Sequence, residues 1–179
     1  RRIRNLLKLG QSDIIGFDTR KDRRNETTKK YHIKTFSRLD EAFEKKPGLM
    51  IISTPPDLHL KYAKVAIEKN VNFFTELNMF SKDIEQIIHK MRGKSIVGLP
   101  SCTLRFHPVI KKAKQLLDKN TIGDVLLIQQ HIGQYLPNWH PWEDYRKFFV
   151  SKRETGGARE LLPFELFWLT RSQEHTSEL

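Results

Sequence analysis

What the chain lacks narrows it first. Its 179 residues hold one cysteine, Cys102, so an internal disulfide framework is excluded and a reducing compartment such as the cytoplasm is expected. No run approaches the ~20 consecutive apolar residues of a membrane span, and no secretory signal pattern is present. Seven histidines are scattered without Cys/His ligand spacing, which argues against a structural zinc site, and no metal site is expected. Zinc-finger spacing, an RRM core sequence and a GXXG clamp are all missing. The net charge of +11, from 32 basic and 21 acidic side chains, is therefore read as a solvated basic surface in preference to a nucleic-acid site. Its densest patches are Arg20–Arg24 and Lys29-Lys30.

What is present alternates. Leu49–Ile52 is a short apolar run of the kind that a parallel strand buried on both faces requires. Ser53-Thr54-Pro55-Pro56 stops it, because proline lacks a ladder donor and biases the preceding residue away from helix. Asp57 is placed to cap a helix whose Leu60, Ala63, Ala66 and Ile67 share a face. Asn70 suits the end of that helix, and Val71–Thr75 reads as the next strand. Ligands of open α/β sheets sit beyond the carboxyl ends of the strands, so Ser53, Thr54 and Glu76 are expected at one crevice.

The same alternation runs along the rest of the chain. Ile3, Leu6 and Leu7 fall at helical spacing before Gly10. A helix with no strand before it leads to the expectation of an incomplete sequence. Ser12–Asp18 reads as a strand ending in an acid. Asp18 either accepts hydrogen bonds from an adenosine ribose, with Arg20 just beyond it able to favour a 2′-phosphate, or merely begins a turn. A charged helical segment precedes a strand near His32–Phe36, and Ser37 with Asp40 suggests a capping box for a helix from Leu39 to Lys45. Ser81 is placed to cap a helix with Ile84, Ile87, Ile88 and Met91 on its core face, closed by Gly93. Ser95–Leu99 reads as a further strand, Pro108 opens a helix, and Val125–Gln134 is strand-like. Tyr135–Phe149 is an aromatic loop that is either functional or folded on its own rings. After Gly156-Gly157 comes an apolar helix with Glu160 and Glu165, roughly 140° apart around its axis and so no obvious carboxylate pair. Arg171–Leu179 loses apolar periodicity.

These lengths predict an α/β fold, a Rossmann-like doubly wound parallel sheet followed by the start of an α+β substrate domain. The expected divisions are a dinucleotide-binding domain over 1–101, a connecting helix segment over 102–123 and a partial substrate or oligomerisation domain over 124–179.

STPPDLH (Ser53–His59), AIEKNVNFFTE (Ala66–Glu76), LRFHP (Leu104–Pro108), IGDV (Ile122–Val125) and GQYLPNWHPWEDYRK (Gly133–Lys147) occur in this order. With them, the chain from Arg1 to about Leu169 resembles the Gfo/Idh/MocA family of NAD(P)-dependent sugar oxidoreductases. The resemblance places the family's first strand and glycine-rich phosphate loop before Arg1, and most of its final sheet after Leu169. It implies NAD or NADP as cofactor, a sugar or nucleotide-sugar substrate and a homo-oligomer in the full-length form. It assigns Asp18 to the adenosine ribose, Ser53, Thr54 and Pro55 to the cofactor with His59 behind them, and Glu76 to the nicotinamide ribose. Arg105 falls in the segment leading from the cofactor domain, and Trp139, His140 and Tyr145 in a loop that approaches the sugar.

Two family features are replaced. The lysine and proline of Glu-Lys-Pro are Leu77 and Asn78, and the Asp-x-x-His pattern after the glycine pair reads Leu161-x-x-Phe164. Leucine and phenylalanine cannot carry a proton. The acceptor in an active enzyme would then be His140, Glu160 or Glu165, in that order. The alternative is a non-catalytic nucleotide- or sugar-binding member of the same fold.

Overall fold

A computed structural model describes residues 1–77, 81–147 and 149–172. They fall into two compact units, Arg1–Gly48 and Leu49–Leu179.

In the first unit, α1 (Arg2–Lys8), β1 (Ile15–Phe17), α2 (Lys21–Tyr31), β2 (Lys34–Phe36) and α3 (Leu39–Phe43) follow in order. β1 and β2 are parallel, with Phe17 opposite Phe36, as a helical crossover requires. α2 buries no residue and is tied to β2 by Thr28 and Thr35, whose hydroxyl oxygens are 3.0 Å apart. Ile33, Phe36 and Ala42 are buried. The expected Ser37 cap is replaced: Arg38 occupies the N-cap without a side-chain cap bond. Its guanidinium bonds Asp40 instead and holds that carboxyl at about 2, below the usual 3.8. A charge-assisted pair is a stronger partner for the carboxylate than a neutral amide.

The second unit runs β3 (Leu49–Ile52), α4 (His59–Glu68), β4 (Asn72–Thr75), α5 (Ser81–Met91), β5 (Gly98–Pro100), α6 (Pro108–Asp118), α7 (Leu136–Trp139) and α8 (Ala158–Ser172). Its sheet has the order β3-β4-β5, all parallel. α4 presents Tyr62, Ala63, Ala66 and Ile67 inward, and Ala63 and Ala66 are wholly inaccessible. Small side chains on that face allow close approach to the sheet. Asp57 does not cap α4. A 3₁₀ turn over Pro56–Leu58 intervenes, because Pro56 already has the φ of a first helical position. Asn70 takes a left-handed φ of 54°, and Val71 N–H returns to Ala66 O at 2.9 Å, the usual exit from a helix.

β5 (Gly98–Pro100) starts three residues later and ends one residue later than the Ser95–Leu99 run suggested, since its register is set by β4. Phe73 pairs with Gly98, and a Cβ there would fall on the Phe73 ring. Val125–Gln134 forms no strand: Leu126 and Leu127 are 95% and 81% exposed. An extended segment becomes a strand only against a partner ladder, and none adjoins it among the described residues. The turn before α8 is tight enough that a Cβ on Gly156 would fall on the Val150 backbone. Among the described residues, no helix is long and apolar enough to cross a membrane.

Candidate functional site at the strand ends

Three strands end level. Ile52 pairs with Thr75, and Thr75 pairs with Pro100. The residues that leave β3, β4 and β5 (Ser53 and Thr54, Glu76, and Ser101) therefore emerge at one carboxyl edge, the ligand edge of an open α/β sheet. The Pro55-Pro56 pair forces the chain off the sheet at that point. His59, only 1% exposed, donates from Nε2 to Thr54 O at 2.8 Å, which pins the turn to the first residue of α4. A carbonyl can only accept, so Nε2 carries the proton.

Among the described residues, two hydroxyls at this edge are buried without a partner: Thr54 Oγ1 and Thr75 Oγ1. A buried polar atom left unbonded costs about 1–3 kcal/mol, so this edge is suited to a polar ligand that would supply the bond. Glu76 is half-buried, and Leu77 follows it in a bend. Asn78 lies outside the described residues.

Ser101 was not among the expected site residues. It is 2% exposed, its N–H donates to Thr75 O at 2.7 Å and its hydroxyl lies 3.4 Å from Thr103 Oγ1. Placing the end of β5 at Pro100 would have found it. Beside it, the Cys102 thiol donates to Pro100 O at 3.3 Å, and burial pushes its pKa up. It is a poor nucleophile.

Asp18 belongs to the first unit, just after β1. Its Oδ1 accepts from Arg20 N–H at 2.8 Å, and its carbonyl accepts from Arg24 Nη1 at 2.8 Å. The turn-starting role is thus present. The Arg20 guanidinium bonds Asp22 and lowers that carboxyl's pKa.

Arg105 is exposed and lines an open groove of about 630 Å³ with Phe106, Ile110, Lys111, Lys114 and Trp168. Ser53, Thr54, Pro55 and Glu76 are not among its lining residues.

The aromatic loop is built around a turn. Trp139 ends α7, and its ring meets His140 edge-on with centroids 5.7 Å apart. Trp142 lies 5.0 Å from the imidazole, tilted by 30°. His140 Nδ1 is 3.4 Å from Glu143 Oε2. Tyr145 stacks with the Arg146 guanidinium, 4.6 Å from its centroid. On α8, Glu165 is buried, with Oε2 accepting from Trp168 Nε1 at 2.8 Å and Gln130 Nε2 at 3.1 Å. The Glu160 side chain lies outside the described residues. The strand-end set is thus brought together, while His140 and Glu165 have separate partners. No group of three metal-ligating side chains occurs among the described residues.

No family model matches the chain. It is 26% identical over 110 residues to the uncharacterized oxidoreductase YhhX of Escherichia coli, covering 59% of this chain and 32% of that protein. A solved structure of YhhX superposes with a TM-score of 0.59 at 23% identity, over 66% of this chain and 36% of that one. The WlbA dehydrogenase from Bordetella pertussis, solved with NADH and UDP-GlcNAcA, gives 0.61 at 14% identity, over 66% and 38%. Apo scyllo-inositol dehydrogenase from Lactobacillus casei gives 0.56 at 19% identity, over 62% and 34%. The chain spans about a quarter to a third of the length of the curated relatives it matches. In fold, then, the chain is a Rossmann-like α/β protein of the kind seen in the Gfo/Idh/MocA-type dehydrogenases, the family its sequence motifs resemble.

Proposed function

We propose that the chain is part of an NAD(P)-dependent oxidoreductase that interconverts a hydroxyl and a ketone on a sugar or nucleotide-sugar. The observation that carries this reading is the level ending of β3, β4 and β5, which gathers Ser53, Thr54, Glu76 and Ser101 at one edge. The Thr54 hydroxyl at that edge, unbonded among the described residues, fits a polar ligand, and the fold likeness to WlbA, solved with NADH, supports a nicotinamide dinucleotide as that ligand. When bound, such a cofactor supplies the hydride chemistry. Glu76 would accept hydrogen bonds from the nicotinamide ribose, and Ser53, Thr54 and Pro55 would line the cofactor, with His59 holding their turn. For Asp18, in the first unit, the family resemblance implies the adenosine ribose. Arg105 and, for a 2′-phosphate, Arg20 complete the proposed binding set. Trp139 and Tyr145 would face the sugar. The hydroxyl proton must go to a basic side chain, and His140 leads Glu160 and Glu165. Glu165 already accepts two hydrogen bonds from Trp168 and Gln130, which leaves its Oε2 less available to a substrate.

A second reading, a binding member of the fold without turnover, is favoured by Leu77 and Phe164, which stand where the family resemblance implies a proton-handling lysine and histidine. Fluorescence titration with NADH and NADPH of the full-length protein that carries this chain tests the shared part. Both readings fail if neither binds. Turnover of scyllo-inositol or UDP-GlcNAcA with NAD⁺ or NADP⁺ is expected under the first reading. Binding without turnover, together with activity gained by Leu77→Lys, would replace it with the second.

A further inference from the structure

The segment His140-Pro141-Trp142-Glu143 closes on itself. Glu143 N–H donates to His140 O at 2.9 Å, and Pro141 occupies the second position, where its fixed φ favours a β-turn. A turn of this kind brings the side chains of its first and fourth residues to the same side. His140 Nδ1 and Glu143 Oε2 accordingly meet at 3.4 Å, with 33% and 28% of their side-chain surfaces exposed. Trp139 edge-on and Trp142 alongside restrict the imidazole further.

Resting on the proposed oxidoreductase reading, we propose that Glu143 is the positioning residue for His140. Its carboxylate accepts from Nδ1–H, which selects the tautomer whose Nε2 is unprotonated and able to accept. With oxidised nicotinamide bound to take up the hydride, the substrate carbon bearing the hydroxyl would give that hydride up. The hydroxyl proton passes to Nε2 of His140, and the C–O bond becomes a ketone. Glu143 stays ionised and stabilises the imidazolium formed. Apart from His140, no residue of this turn was singled out from the sequence, since a Glu three residues after a His carries no signal until the turn is known.

Nitrogen-15 NMR of histidine-labelled protein tests this without turnover, with the His140 signals assigned by their loss in His140→Gln. The wild type is expected to show Nδ1 protonated and Nε2 bare at a pH where the ring is neutral. Glu143→Ala should move His140 toward the opposite tautomer, and Glu143→Gln, which retains an acceptor oxygen, should largely restore the wild-type pattern. For whichever sugar of the panel turns over, Glu143→Ala should lower kcat about 10- to 100-fold with little change in NADH affinity, a loss of the size seen when the carboxylate behind a metal-ligating histidine is removed. Identical nitrogen spectra in wild type and Glu143→Ala would overturn the positioning role even if the enzyme proved active. Failure to bind dinucleotide would instead remove the oxidoreductase reading, and the spectra would still decide whether Glu143 sets the tautomer.

Discussion

His59 and Ser101 are polar side chains that the strand ends bury almost completely, at 1% and 2% exposure. Burial of a polar group is sustained when it is bonded, and His59 is bonded to the carbonyl of Thr54, whose own hydroxyl has no partner among the described residues. His59→Phe preserves most of the ring volume and deletes the donor. It should lower stability by about 1–3 kcal/mol, read as a reduced urea midpoint with an unchanged m-value, because the Thr54 carbonyl loses its bond. An unchanged midpoint would show that the bond does not hold the turn. At this scale the sequence was uneven. Ser53, Thr54 and Glu76 were legible because prolines and apolar runs mark the strand ends that precede them. Ser101 was not, because nothing local distinguishes it from any serine after a proline.

Strands and helices were more legible than their caps. β3 coincides with its apolar run but buries only Ile52 fully and leaves Leu49 exposed, against the expected burial on both faces. On α4, Ala63, Ala66 and Ile67 are buried as the spacing predicted, while Tyr62 is buried and Leu60 only half-buried. The α4 signal is dominated by burial, which periodicity reports. Caps depend on which of several nearby donors and acceptors wins, as Arg38 does over Ser37. β5 depends on its neighbour: Gly98 sits where it does because the buried Phe73 ring occupies the space of a side chain. Gly98→Ala should therefore destabilise the second unit by about 1–3 kcal/mol. The same change in a Phe73→Leu background should cost less, and equal costs in a thermal-melt double-mutant cycle would refute the contact. Val125–Gln134 shows the converse, a strand-like pattern that has no ladder beside it.

Across the whole molecule, the +11 charge is the property most readily mistaken for a function. Several of its cations are already paired: Arg20 with Asp22, Arg38 with Asp40, Lys114 with Asp118. Filter binding to a random polynucleotide should give weak affinity that falls at least about 1,000-fold between low and moderate salt, the mark of counterion release alone. Affinity that survives salt or depends on base sequence would restore a nucleic-acid role.

The sequence by itself determined the alternation of strands and helices, the α/β class and the edge at which polar residues would collect, since each follows from period, proline position and burial along a short stretch of chain. Only the tertiary structure decided that β3, β4 and β5 end level, that Ser101 joins the edge, and that Glu143 lies against His140. These depend on register and turn closure. Both are set by contacts between residues that need share no local pattern, and a side chain's neighbours decide what it can do.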